Sequence, residues 1–246
     1  MKNFQIIAEI GSNWGGSEKI GKKMIKAAKL AGADYVKFQM WRARDLYKKS
    51  EPFWNDIKRS EVTPEIAKIF KKYSDEQNIK FFCSVFYPEA VETLENLNVK
   101  LYKIASWTAS MKHKKSKKTL KTIAETKKPV IISTGMGGDV NGLKQIFRKN
   151  KRYFLYCIAR YPTKINQLNF TRMKEFDGFS DHTEGFLAPI MFALNFRNTK
   201  KTKFYEKHVS LAESTGPDKP FSMRMNDFGQ LISEFKKIKY LQCESS

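Results

Sequence analysis

Eight short runs of β-forming residues, each followed by a stretch with helical spacing, succeed one another along this chain with no linker, repeat or break in composition. The runs are Phe4–Ile10, Tyr35–Gln39, Lys80–Val85, Leu101–Ala105, Pro129–Ser133, Tyr153–Ile158, Gly178–Ser180 and Phe204–His208. Most are apolar almost throughout, as parallel strands covered on both faces must be. Between them, Ile20, Met24, Ala27, Ala28 and Ala31 share one helical face after Ser17, a candidate N-cap, and Gly32 follows as a stop. Thr63-Pro64 marks a second helix start, and Phe228, Leu231, Ile232, Phe235 and Ile238 stripe a last helix after Asn226.

Eight strand–helix units in 246 residues predict an α/β fold: a (β/α)₈ TIM barrel, which typically needs about 250 residues, with residues 1–246 forming a single domain. An open doubly wound sheet is the weaker alternative, because no GxGxxG follows the first strand.

Composition narrows the function classes. The net charge is +21, which on its own would suit a nucleic acid or a membrane surface. The excess is mostly lysine spread along the chain, densest over Lys112–Lys121, with no zinc-finger or helix-turn-helix pattern. The expectation is anionic substrates, with no specific nucleic acid and no membrane among the partners. Cys83, Cys157 and Cys243 lack CxxC spacing and read as buried free thiols in a reducing compartment. No signal-peptide pattern precedes the first strand, and the longest apolar stretch, Phe186–Phe196, is broken by Pro189. These features predict a soluble cytoplasmic protein.

Barrel chemistry sits at the C-terminal ends of the strands, and the residues there are polar: Glu9, Lys37, Gln39, Ser84, Lys103, Ser106, Ser133, Ser180, Asp181, His182, Glu206 and His208. A lysine inside an apolar strand needs an anionic partner. For one such lysine a structural ion pair is the natural reading; two at equivalent positions, Lys37 and Lys103, with several hydroxyls nearby favour a cradle for phosphate and carboxylate. His182 and His208, ending the last two strands, favour a shared divalent metal over two core histidines, with Glu9 or Asp181 as further ligands or as partners that orient an imidazole. His113 reads as solvated.

Several blocks resemble the sialic acid synthase (N-acetylneuraminate synthase) family. They are Ile7-Ala8-Glu9-Ile10-Gly11-Ser12-Asn13, Ala31–Gln39, Tyr102–Ser106, Lys128–Met136, Tyr161-Pro162-Thr163, Phe179–Thr183, Glu206-Lys207-His208 and Gly216-Pro217-Asp218. The resemblance implies a TIM barrel in which C3 of phosphoenolpyruvate attacks the aldehyde of an N-acetylmannosamine-type sugar, giving a nonulosonic acid and phosphate. It implies a divalent cation on His182 and His208, manganese first, with magnesium or cobalt as alternatives. Lys37, Ser84, Lys103, Ser106, Ser133 and Ser180 match positions that hold phosphoenolpyruvate, with Lys37 and Lys103 counted as catalytic. Glu9, Gln39 and Asp218 match positions that meet the sugar or the attacking water, and Glu206 is the acid/base candidate.

Departures from the family pattern stand at Trp14, Val85, Ala159 and Arg160, where Ala159 loses a polar contact that Arg160 would have to replace. The C-terminal antifreeze-like domain of longer relatives is not part of the sequence, so a homodimer or a separately encoded antifreeze-like domain is an expected partner. Two other readings stay open: a degenerate or partner-dependent homologue that binds ligand without turnover, and a basic polyanion-binding barrel. The segment Trp41–Val62, long for a βα connection, is expected to act as a lid.

Overall fold

The computed structural model describes residues 4–238, and Cys243 lies outside the described residues. Eight strands form in chain order: β1 (Phe4–Glu9), β2 (Tyr35–Met40), β3 (Lys80–Val85) and β4 (Tyr102–Ile104), then β5 (Val130–Ser133), β6 (Arg152–Cys157), β7 (Gly178–Asp181) and β8 (Lys203–Ser210). Each pairs in parallel with the next, and β8 closes onto β1 over Phe4–Glu9 against Lys203–His208. The result is the (β/α)₈ barrel expected from the pattern. A two-residue strand, β9 (Met223–Arg224), adds to the end of β8 and was not foreseen.

Helix starts follow local chemistry. The Ser17 hydroxyl accepts from Ile20 N at 3.3 Å to open the helix Glu18–Ala31, and Gly32 ends it at φ 96°, a conformation that suits a residue without Cβ. Thr63 caps the helix Pro64–Glu76 in the same way, with Pro64 in its first turn. The apolar run Phe186–Phe196 forms the helix Leu187–Phe196, and Pro189 falls in its first turn, where no amide donor is needed. Among the described residues no helix is long and apolar enough to cross a membrane.

Strand alternation sorts the side chains into two populations. One set, exemplified by Ile6, Ala8, Val36, Phe38, Ile104 and Ile132, packs outward against the helices in one continuous core. The other set points into the barrel, where Ile7, Phe82, Leu101, Ile131, Leu155 and Phe204 plug its lower half. Tyr35 and Tyr153 close that plug edge-on, with ring centroids 5.5 Å from Phe82 and 4.8 Å from Phe204 respectively. One step further along each strand, the inward positions become Glu9, Lys37, Ser84, Lys103, Ser133 and Glu206. The apolar plug is thus the floor on which a polar site rests.

Candidate active site

The inward alternation brings most of the expected site residues into one cavity of about 520 Å³ at the C-terminal mouth of the barrel. Glu9, Lys37, Lys103 and Glu206 line its floor. Gln39, Ser106, Ser133 and Ser180 line its sides, and His182, His208 and Asp218 stand nearer the mouth. Ser84 is the exception. It is buried beneath the cavity, where its hydroxyl accepts from Lys37 Nζ at 2.8 Å, so it supports a lysine rather than facing a ligand.

The two strand lysines have their anionic partners within the chain. Lys37 pairs with Glu9 and lies 3.3 Å from Glu206 Oε2, while Lys103 pairs with Glu206 Oε1 at 2.6 Å. Ser180 Oγ donates to that same oxygen at 2.8 Å. The expected anion cradle is therefore a four-membered network of two ammonium groups and two carboxylates, balanced in charge without a ligand. Burial alone would raise the Glu206 carboxyl; Lys103, Lys37 and the Ser180 hydroxyl outweigh it and hold the group well below the usual carboxylate range. Burial lowers Lys103, and the like charge of Lys37 lowers it further against the pull of Glu206. Lys37 also meets the burial penalty, yet Glu206 and Glu9 together raise it.

Two features of the floor remain open to a ligand. Ser133 Oγ is buried with no hydrogen-bond partner, and Glu206 Oε2 has none of hydrogen-bonding geometry. An unsatisfied buried polar atom of this kind is unusual enough to mark a place where something else binds.

The two histidines come together as expected, with ring centroids 5.8 Å apart. His182 Nδ1 lies 2.8 Å from the carbonyl oxygen of Ile158, which can only accept, so Nδ1 carries a proton and is tied to the backbone. Backbone anchoring of one ring nitrogen is the usual support of a metal-binding imidazole. His208 Nδ1 is buried and unpartnered, 4.0 Å from Asp218 Oδ2. Gly11, at φ +53°, makes room here: a Cβ would come within 3.2 Å of the His208 ring. Two neighbouring imidazoles suit a divalent transition metal whose remaining positions are filled by water or substrate. Among the described residues, no group of three or more His, Cys, Asp and Glu side chains is arranged to hold an ion.

Asp181 corrects an expectation. It faces outward from the barrel, away from the histidines, where Oδ1 accepts from Thr183 N and Oγ1 at 2.8 Å each. Its Oδ2 accepts from Tyr205 at 2.8 Å and from Lys207 at 3.1 Å. The carboxylate is fully engaged in bracing the ends of β7 and β8 and is neither a ligand nor an imidazole partner. Glu9 is likewise committed, to Lys37 and to Gly11 N at 2.8 Å.

Other details differ from the sequence reading. Cys157 is not an inert core thiol: it lines the cavity, with Sγ 3.6 Å from Ser106 Oγ. Burial raises its pKa, but His182, Ser106 and Lys103 bring it below the ordinary thiol value. His113 is half-buried, accepting from Lys115 N at 3.3 Å. Trp14 is buried against Phe70, ring centroids 5.3 Å apart, and takes no part in the cavity. Arg160 is exposed and does not line the cavity beside Ala159, so it supplies no replacement contact there. The segment 41–62 is not bare loop. It carries the short helices Ala43–Leu46 and Trp54–Arg59 and covers one side of the mouth. Trp107, Met136, Tyr161 and Phe221 also line the mouth; Met136 and Tyr161 stood in the matched blocks without a role, and Trp107 and Phe221 were not singled out. Trp107 follows directly on Ser106 and Met136 lies three residues past Ser133, the end of β5, and this nearness to the strand ends is the signal that could have found them.

The chain is similar to several known proteins. The NeuB family profile matches residues 24–245. The chain is 33% identical to a pseudaminic acid synthase of Campylobacter jejuni, over 97% of this chain and 74% of that protein. It is 31% identical to an uncharacterized protein of Methanocaldococcus jannaschii, over 95% of this chain and 70% of that one. Among solved structures, N-acetylneuraminic acid synthetase from Leptospira borgpetersenii superposes with a TM-score of 0.84 at 24% identity, covering 98% of this chain and 86% of that chain.

Proposed function

Because the chain belongs to the NeuB family and is thereby a phosphoenolpyruvate-dependent sugar acid synthase, we propose that it joins phosphoenolpyruvate to the open-chain aldehyde of an N-acetylmannosamine-type aldose with help from a divalent metal. C3 of phosphoenolpyruvate forms the new carbon–carbon bond to the aldehyde carbon, whose oxygen takes up a proton. Water adds at C2, the C2–O bond to phosphate breaks, and the products are a nonulosonic acid and inorganic phosphate.

The observation that carries this reading is the buried quartet Lys37, Glu9, Lys103 and Glu206 at the base of an open cavity. An incoming phosphate and carboxylate compete with Glu206 for both ammonium groups. The lysines then hold the substrate's charge, with the free Ser133 hydroxyl, Ser106 and Ser180 as donors around it. Glu206, released from its cations, recovers basicity and becomes the group able to accept a proton from water and pass one on. Glu9 keeps Lys37 in place, and Gln39 and Asp218 stand on the acceptor side. His182 and His208 would hold the metal, manganese first, which supplies Lewis-acid polarisation of the aldehyde oxygen when bound.

The test is to incubate the chain with manganese, phosphoenolpyruvate and a panel of aldoses, following inorganic phosphate. Sugar-dependent release supports the reading. Silence across the panel, with phosphoenolpyruvate and metal both bound, would replace it with a homologue that binds ligand without turnover.

A further inference from the structure

Positive charge is concentrated on one side of this barrel. The stretch 112–151 holds twelve lysines and arginines against two acidic residues, Glu125 and Asp139. It includes the neighbouring helices Ser116–Glu125 and Val140–Ile146, which run back from the mouth towards the N-terminal ends of β5 and β6. Where they end, on the face opposite the cavity already described, lies a groove of about 620 Å³. Lys121, Lys127, Arg148 and Lys149 line it, all of them exposed, together with Glu125 and the buried Asn150.

These cations differ from lysines elsewhere on the surface. Lys22, Lys71 and Lys237 each pair with a carboxylate one turn away on the same helix. Among the described residues, none of the four cations in the groove makes an ion pair, although Glu125 stands with them. Helix C-termini attract cations of themselves, but each carries only about half a negative charge. Two helix ends and Glu125 thus offset about two of the four positive charges. The remainder favours a bound anion, and four cations from two helices suit a dianion better than a single carboxylate.

Asn150 says what else that anion must carry. Its Nδ2 donates to the Lys128 carbonyl at 2.9 Å, which fixes the amide, since a carbonyl oxygen can only accept. The other end, Oδ1, is buried without a partner, and the residue is 4% exposed. A buried acceptor left open marks a place where a donor belongs. A bare anion has no proton to give, so the ligand needs hydroxyl groups beside its charge.

We propose that this groove is a second ligand site, separate from the cavity at the mouth. It binds a phosphoester with free hydroxyl groups, the chemistry shared by sugar phosphates and nucleoside phosphates. Lys121, Lys127, Arg148 and Lys149 hold the phosphate, and Asn150 Oδ1 accepts from a hydroxyl.

The experiment is calorimetric titration of the chain at about pH 8, where phosphate monoesters are dianions. Three dianions are compared: sulfate, which has no proton to donate, glucose 6-phosphate and uridine 5′-monophosphate. Only binding that the double variant Lys121→Gln with Lys149→Gln weakens counts as the groove's. Both esters should bind there more tightly than sulfate by roughly fivefold or more, the worth of one hydrogen bond. The tighter ester names the source. The double variant, at two exposed positions, should weaken all three dianions by roughly fivefold or more. Asn150→Ala should bring the esters to the affinity of sulfate and leave sulfate unchanged. Esters that bind no more tightly than sulfate overturn the proposal. So does a double variant that binds them as the native chain does. If Asn150→Ala does not fold, the sulfate comparison and the lysine variant decide without it.

Discussion

Lys103 Nζ lies 2.6 Å from Glu206 Oε1 across the barrel interior, with both side chains 5% exposed or less. Removing one member of a buried pair leaves an uncompensated charge, which costs about 3–5 kcal/mol. Glu206→Gln keeps the shape and removes the charge, so it should lower unfolding stability by that order in urea titration. It should also reduce phosphate release by roughly 100-fold or more, the usual worth of a general acid–base group. The stability loss also has a pH signature. A carboxyl held below its unfolded pKa stabilises above the unfolded value and stops doing so as pH falls through the folded one. The gap between the native chain and Glu206→Gln should thus be flat from about pH 6 to pH 8 and shrink only below about pH 4. A gap that narrows between pH 6 and 8 would contradict the assignment.

Charge balance in the quartet predicts proton uptake on ligand binding. Phosphoenolpyruvate brings negative charge into a floor already neutralised by Glu9 and Glu206. Displacing Lys103 from Glu206 lets the carboxyl pKa rise toward the ordinary carboxylate range, so binding should take up part of a proton near about pH 5 and almost none near pH 7, where Glu206 stays a carboxylate. Calorimetry in two buffers of different ionisation enthalpy reads that number directly, and Glu206→Gln should abolish the difference between them.

Asp181 and His182 adjoin in sequence but make separate contacts, Asp181 with Tyr205 and Lys207 and His182 with the Ile158 carbonyl. His182→Ala and His208→Ala should each weaken manganese binding, followed by electron paramagnetic resonance, by about 100-fold or more. Asp181→Asn loosens the brace between Thr183, Tyr205 and Lys207. It should cost about 3 kcal/mol of stability while leaving far more metal affinity than either alanine variant. Equal loss of metal by all three would show that Asp181 reaches the ion.

Trp14 tests the claim that one departure from the family pattern is structural. Its indole packs on Phe70 in the outer core and not in the cavity. Trp14→Ala should cost about 3–5 kcal/mol in thermal or denaturant unfolding. Trp14→Phe should leave phosphoenolpyruvate affinity, measured by titration calorimetry, unchanged.

Local chemistry made much of the architecture readable in advance. Apolar runs such as Lys80–Val85 specify buried parallel strands wherever they pack. Ser17 and Thr63 satisfy helix amides from their own side chains, so those helix starts needed no tertiary contact. The helices Ala43–Leu46 and Trp54–Arg59 were not foreseen for the converse reason. They are short, lack a side-chain cap, and are held by contacts from afar, as Ala43 is by Glu61.

From the order of its residues alone, this chain determines eight strands, their covering helices and the set of polar groups at the strand ends, because periodicity and capping act between near neighbours. Which of those polar groups meet was decided only by closing the barrel. Strand parity turns Glu206 and His208 inward but Asp181 and Lys207 outward, and the register of β8 against β1 sets His208 beside Glu9. The pairing of Lys103 with Glu206 spans 103 positions of sequence. No local pattern encodes that distance; the low-dielectric interior enforces it, since neither charge could be buried without the other.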